Sequence, residues 1–340
     1  MRWMRWMFSA GVLLAGMAEG WAKQRVEIVW PTPSKAWEQR RAPSEFLQHA
    51  GSGDPASGGF GGVRSGGRQF HEGIDIKPIG RDRQGAPTDP VFAAMDGVVR
   101  HTSRVAGKSS YGRYVVIEHP DMSPAVYTLY AHLARIDDAI RPGVAVKRGQ
   151  PIGVMGHSAG GYVLPKERAH LHFEIGVAVT TDFQAWYDAR KFGSRNDHGM
   201  WNGMNLMGFD PLDFMNQWRE GKVDTFDDYF RQMEPVAVVR IATRRVPDFV
   251  RRYPSLVTGP MPMIVNGWEV RFNWSGIPFG WRPLSADEAK DLEMNRPVVV
   301  EVDLELGRKD RSRTLAAKVR GQWRAASDLE AVLQQLFGVR

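Results

Sequence analysis

Five side chains able to do metal or proton chemistry sit in three short stretches of the sequence. His71 and Asp75 lie in Phe70-His71-Glu72-Gly73-Ile74-Asp75. His132 ends Tyr130-Ala131-His132, and His170 and His172 open His170-Leu171-His172-Phe173-Glu174. Imidazole and carboxylate are the ligand types that borderline cations such as zinc take up. If the first stretch supplies two ligands and the last supplies one, the total is three. Three protein ligands with a fourth position open to water is the arrangement of a catalytic zinc site, whereas structural sites usually close with four.

Those residues need strands to position them. In Phe70 to Ile76, alternation puts Phe70, Ile74 and Ile76 on one side, and His71, Gly73 and Asp75 on the other. A flat strand holds residues four apart at about 13 Å, too far for both to reach one ion. The spacing therefore predicts a kink at Gly73. A helical His71-Glu72-x-x-Asp75 motif with Glu72 as general base is the rival reading. Glycine and two isoleucines make a poor helix there, and the second histidine of such a motif is missing. Tyr114 to His119 and Val126 to His132 read as antiparallel neighbours, and Val91 to Val99 and Val144 to Gly153 as strand-turn-strand units. In the strand Ala169 to Val177, Leu171, Phe173 and Ile175 face a core, so His170, His172 and Glu174 face the other way. Two histidines so placed can share one metal, or divide ligation and proton transfer between them. Short strands separated by turn chemistry predict a mainly β chain, built on an antiparallel β-sandwich or barrel.

The sequence has 340 residues, formal charge +7 and no cysteine. The absence of cysteine excludes thiol catalysis, thiolate ligands and disulfides. The basic balance suits an anionic partner such as a cell-wall polymer. Its arginines are scattered rather than gathered into an aromatic-interleaved patch, which argues against nucleic acid. Arg2 and Arg5 precede a mostly apolar stretch, Trp6 to Met17, of signal-peptide length and too short for a comfortable membrane span. Residues 1–22 are thus expected to be a signal peptide, and the remainder an exported, most simply periplasmic, chain with no transmembrane segment.

The runs Phe70 to Asp75, Tyr130-Ala131-His132-Leu133 and His170 to Glu174 together resemble the lysostaphin/LytM-type zinc endopeptidases of bacterial cell walls. The resemblance covers residues 56–180. It implies one zinc per chain held by His71, Asp75 and His172, with His132 and His170 orienting and deprotonating the attacking water. It also implies peptidoglycan as substrate, with stem-peptide cross-links or glycine bridges as the bonds cut. One departure is visible. Tyr162 to Arg168 stands where the family usually has a shorter Ser/Gly turn, which bears on substrate preference.

The expected organisation is an N-terminal extension (23–55), a β peptidase domain with its C-terminal extension (56–220), and a small α+β domain (225–340). In that last region Val236 to Ile241, Trp268 to Trp274 and Pro297 to Leu306 read as strands, and Ala326 to Phe337 as an amphipathic helix. No role follows for it from the sequence, and whether residues 23–55 block the groove stays open. Two functions compete: an active zinc endopeptidase, and a non-catalytic peptidoglycan-binding regulator or activator of another hydrolase. Retention of all five side chains favours the enzyme. A carrier barrel of similar strand layout would need neither Asp75 nor two histidines on the last strand.

Overall fold

The structure, a computed structural model, describes residues 25–340 except 309, 311, 339 and 340. The expected signal peptide lies outside the described residues. Among those described, no helix is long and apolar enough to cross a membrane.

The chain is mainly β, with antiparallel sheets. Its site-bearing half runs β1 (Gly61–Arg64), β2 (Gln69–His71), β3 (Ile74–Ile76), β4 (Pro90–Phe92), β5 (Gly97–Ser103) and β6 (Tyr114–Glu118). It continues through β7 (Tyr127–Ala131), β8 (Leu133–Ile136), β9 (Ala145–Val146), β10 (Pro151–Met155), β11 (Leu171–Ala178) and β12 (Leu206–Phe209). The largest sheet has the order β12-β11-β7-β6-β5-β9, and β3 also pairs with β11. A smaller sheet, β4-β10-β8, lies beside it, and β1 pairs only with β2.

Both faces of the large sheet are buried, which explains why β6, β7 and β11 are apolar nearly throughout. Val115, Ile117, Tyr130, Leu171, Phe173 and Ile175 share a core with Val91, Ile152 and Met155 of the smaller sheet. On the other face Tyr114, Val116, Tyr127 and Leu129 pack with Trp201 and Leu206, so the aromatic stretch after residue 181 covers the sheet. Residues 25–47 cross the first core. Val26, Ile28, Trp30 and Trp37 are buried there, and Trp37 Nε1 donates to Asn216 Oδ1 at 2.9 Å. Val26 to Val29, which the sequence suggests as a strand, runs extended without joining a sheet. Its N–H groups at 26 and 29 reach Asp224 O and Ala94 O instead.

The C-terminal region builds a second antiparallel sheet. It comprises β13 (Ala237–Ala242), β14 (Gly267–Phe272), β15 (Pro278–Pro283) and β16 (Val298–Val302), in the order β15-β14-β13-β16. A hairpin of β17 (Ala316–Val319) and β18 (Gln322–Ala325) and the helix Ser327–Phe337 complete it. The expected strand over 297–306 is shorter in the fold. It gives way at Asp303, whose carboxylate caps the turn Leu304–Gly307 by accepting from Glu305 and Leu306 N–H. The buried apolar side chains of this sheet are contiguous with the first core.

Candidate metal and catalytic site

The kink predicted at Gly73 is present and has a packing cause. β2 ends at His71 and β3 begins at Ile74, and the two strands belong to different sheets. A Cβ on Gly73 would stand 2.3 Å from Phe173 O, so the chain can cross β11 there only as glycine. The bend brings His71 Nε2 to 3.1 Å from Asp75 Oδ1 despite the four-residue separation. In register, Asp75 pairs directly with His172 across β3 and β11, while Ala131 pairs with His172 from the other side. His132, one residue beyond, therefore arrives at the same end of the sheet. Its backbone adopts φ 60°, a left-handed conformation uncommon for a non-glycine residue.

His71, Asp75, His132, His170 and His172 are all buried and face one another. His71 Nε2 lies 2.9 Å from His172 Nδ1, and His172 Nδ1 lies 3.2 Å from Asp75 Oδ1. Hydrogen-bond partners fix the tautomers. His71 Nδ1 donates to Gly59 O at 2.6 Å, so its Nε2 presents a lone pair. His172 Nε2 faces Glu174 Oε1 at 2.8 Å, which reserves Nδ1 for the cluster. Three electron-rich atoms thus converge at 2.9–3.2 Å. Such an arrangement demands positive charge among them. Zinc bonds of about 2.0–2.1 Å in a tetrahedron put donor atoms about 3.3 Å apart, close to what is found. Donor types, spacing and tautomers therefore fit a divalent cation of zinc's kind, and His71, Asp75 and His172 are a group that could hold one.

Two further imidazoles stand beside this cluster. His132 Nδ1 donates to Ser158 O at 2.8 Å, which leaves its Nε2 as an acceptor, and His170 Nδ1 faces Arg168 O at 2.7 Å. The rings of His132 and His170 are 4.8 Å apart, and His170 Nε2 is 3.3 Å from Asp75 Oδ1. Gly112, at φ 65°, lets the Ser158 carbonyl approach, since a Cβ there would sit 2.1 Å from it. Burial, reinforced by the neighbouring His170 and His172, holds His132 well below the usual imidazole range. It is therefore neutral near pH 7 and able to accept a proton.

Electrostatics at the cluster follow from its carboxylates. Burial opposes charge on His172, but hydrogen bonds to Asp75 and Glu174 outweigh it and raise the imidazole to about 9. Burial would raise Asp75, yet the surrounding imidazoles hold it well below the usual carboxylate range. Cation and proton thus compete for His172 Nδ1.

Several functional groups carry no sequence assignment. Glu174 is fully buried and accepts from three donors: Tyr111 Oη at 2.6 Å, Tyr127 Oη at 2.7 Å and His172 Nε2. A carboxylate so placed would fix the tautomer of His172 as a metal ligand and raise its basicity. Alternation along β11 already places Glu174 on the histidine face, so its signal was in the sequence. Arg64, the last residue of β1, donates to Asp75 Oδ2 and lies 2.9 Å from His71 Nε2. Only the glycine-rich loop before Phe70 hinted at a segment able to fold back so closely. The histidines outside the cluster have different surroundings. His119 is satisfied by Asp96 O and Thr128 Oγ1. His157 holds the 162–168 insertion through Leu164 O. His49 lines the cavity over the cluster.

That cavity has a volume of about 1030 Å³. His49, Ala50, Ser52, Asp54 and Ser57 form part of its wall, as do Tyr162, Leu164 and Arg168 of the insertion.

A buried three-donor cluster that could hold a metal ion, with two further imidazoles beside it, thus lies at the end of an antiparallel sheet and under an open groove. Residues 69–182, a minority of the chain, match the sequence model of Peptidase family M23. The family consists in general of zinc metallopeptidases that cleave peptidoglycan, some members being inactive. Similar solved structures include a zinc-containing peptidase from Vibrio cholerae, 27% identical, over 45% of this chain and 37% of that one, with TM-score 0.29. The catalytic domain of the antimicrobial peptidase lysostaphin from Staphylococcus simulans is 19% identical over 54% of this chain and 98% of that one, with TM-score 0.30. The catalytic domain of a prophage-encoded M23 protein from Enterococcus faecalis, a point mutant, is 25% identical over 39% and 81%, with TM-score 0.27. The chain spans less than two thirds of the Vibrio cholerae peptidase. No curated protein matches the chain.

Proposed function

We propose that this chain is a zinc-dependent endopeptidase that hydrolyses peptide bonds in peptidoglycan, most simply stem-peptide cross-links. In this reading His71, Asp75 and His172 hold one zinc, and His132 and His170 handle the proton. The observation that carries it is the convergence of three possible metal donors, with the imidazoles of His132 and His170 packed beside them. A bound zinc supplies Lewis acidity toward a water and a scissile carbonyl. The residues do the rest. Nε2 of His132 or His170 takes the proton that the attacking water loses, then returns it to the departing amine nitrogen. The C–N bond breaks as the new C–O bond forms, leaving a carboxylate and an amine. Glu174 keeps the His172 ring oriented through both halves of the reaction, and Arg64 holds the outer oxygen of Asp75.

The same reading places the mature chain outside the cytoplasm, in the periplasm, after removal of residues 1–22. Its peptidase domain would span 56–220 and a smaller α+β domain 225–340. The test is digestion of purified sacculi followed by mass spectrometry of the released muropeptides, with and without a chelator and beside a His172→Ala variant. Loss of cross-linked dimers, abolished by chelator and variant alike, is the expected outcome and names the bond. Intact cross-links from protein that holds stoichiometric zinc would overturn it in favour of a peptidoglycan-binding regulator.

A further inference from the structure

The wall of the groove opposite the insertion does not come from the site-bearing half. Ser312, Arg313 and Asp328 line the same cavity as His132, His170 and His172, and all three belong to the C-terminal region. The guanidinium of Arg313 lies 4.0 Å from the centre of the Phe70 ring, and Phe70 immediately precedes His71. This placement is held from several sides. Trp274 packs its ring at 5.6 Å from Phe60 and 6.1 Å from Phe70. The Asp310 carboxylate accepts from Gly62 N–H in β1 and from Ser312 N–H, the latter at 2.7 Å. A Cβ on Gly62 would stand 2.5 Å from Asp310 Oδ1, so the two segments meet backbone to side chain with no room to spare. Asp328 accepts from Thr314 N–H at 2.9 Å and ties the far end of the loop to the last helix.

Charge on the wall points to a ligand type. Arg68, Arg168 and Arg313 line the cavity, and none forms a salt bridge among the described residues. Asp54 and Asp328 turn toward backbone N–H groups at Ala56 and Thr314 rather than toward these cations, and Glu72, which also lines the cavity, forms no salt bridge with them. Of the three arginines, Arg313 is half-buried and stacked on an aromatic face. A guanidinium held in that way loses little freedom on binding and presents its fork to a carboxylate.

We propose that the C-terminal region is the specificity wall of the groove, and that Arg313 receives a carboxylate of the peptide substrate. The chain would then prefer acidic, carboxylate-bearing stem peptides to neutral bridge peptides. The inference rests on the peptidase reading above and names the substrate class of that same site.

The experiment uses two synthetic cross-linked peptides that differ only in one flanking group, a carboxylate or its carboxamide. KM and kcat are measured for the full chain, Arg313→Gln and Arg313→Lys. In parallel, Kd for both peptides is measured on chelator-treated protein, where no turnover occurs. The expected result is roughly tenfold tighter binding and lower KM for the carboxylate peptide, the size of one charge-assisted hydrogen bond. Arg313→Gln should collapse that ratio and Arg313→Lys should restore part of it. A ratio near one in the parent, or a loss in Arg313→Gln that both peptides share equally, overturns the inference, the latter by marking Arg313 as packing only. If neither peptide is cleaved, the peptidase reading fails, and the Kd ratio on chelator-treated protein still decides the role of Arg313.

Discussion

Two histidine pairs in this fold meet nitrogen to nitrogen, His71 with His172 and His101 with His198, and only the first has a carboxylate beside it to complete a set of metal donors. His71 Nε2 and His172 Nδ1 are 2.9 Å apart, and His101 Nε2 and His198 Nδ1 are 3.2 Å apart. The residue types and spacings are nearly the same. What differs is where the protons go. In the second pair, His198 Nε2 donates to Lys108 O, and His101 Nε2 can donate to the lone pair left on His198 Nδ1. That pair is satisfied by one neutral hydrogen bond. In the first pair both outward nitrogens face acceptors, Gly59 O and Glu174, so the two inner nitrogens meet beside Asp75, with the Arg64 guanidinium as the neighbouring donor. Burial pushes His101 down to about 4, whereas the two carboxylates raise His172 to about 9. The carboxylates and the outward acceptors, not the imidazoles, make the site.

That contrast is easiest to break with metal content. Asp75→Ala or His172→Ala should leave folded protein with essentially no bound zinc after dialysis, measured by elemental mass spectrometry. His101→Ala should keep one zinc per chain and full turnover. Equal zinc in all three variants would remove the distinction between the pairs. The next largest effect concerns proton handling. His132→Ala and His170→Ala should retain zinc yet lose about 10²–10⁴-fold in kcat, the usual worth of a general base. Full turnover in either metal-loaded variant would reassign the base. A smaller loss tests the relay behind the ligand. Glu174→Gln should weaken zinc affinity about 10–100-fold in a competition titration with a chromophoric chelator. An unchanged affinity would make Glu174 a packing residue between two tyrosines.

The legible part of this molecule was whatever rests on local pattern. Short β-branched and aromatic runs bounded by turn residues marked β6 and β7, and period-two alternation along β11 sorted Leu171, Phe173 and Ile175 from His170, His172 and Glu174. The need for a bend at Gly73 followed from strand rise alone. The proposed choice of His172 over His170 as ligand did not. It depends on Glu174 capturing one nitrogen of His172 while Arg168 O captures one of His170, and tautomers are tertiary facts. Arg64 and the Ser158 carbonyl were hidden for a related reason. Each reaches the site by a loop whose course is set by distant contacts, such as Gly62 with Asp310 across 248 residues. The strand expected over Pro297 to Leu306 shows the converse, an apolar run overruled when Asp303 caps a helical turn.

The smallest expected effect is also the one with opposite signs at the two pairs. His172 is raised above the unfolded imidazole value of about 6.5, so in chelator-treated protein its contribution to stability is complete below that value. It is lost as pH rises through about 9. His101 is depressed, so its contribution is complete above about 6.5 and is lost as pH falls through about 4. Zinc must displace the His172 proton, so loading at pH 7 should release about one proton, read from the dependence of calorimetric heat on buffer ionisation enthalpy. Zinc affinity should rise with pH over the range from 7 to 9, and His101→Ala should leave both the released proton and that slope unchanged. A loading heat independent of buffer would mean that His172 is already neutral in the cluster. The positive charge demanded by the three converging donors would then have to come from Arg64, whose guanidinium touches both His71 and Asp75.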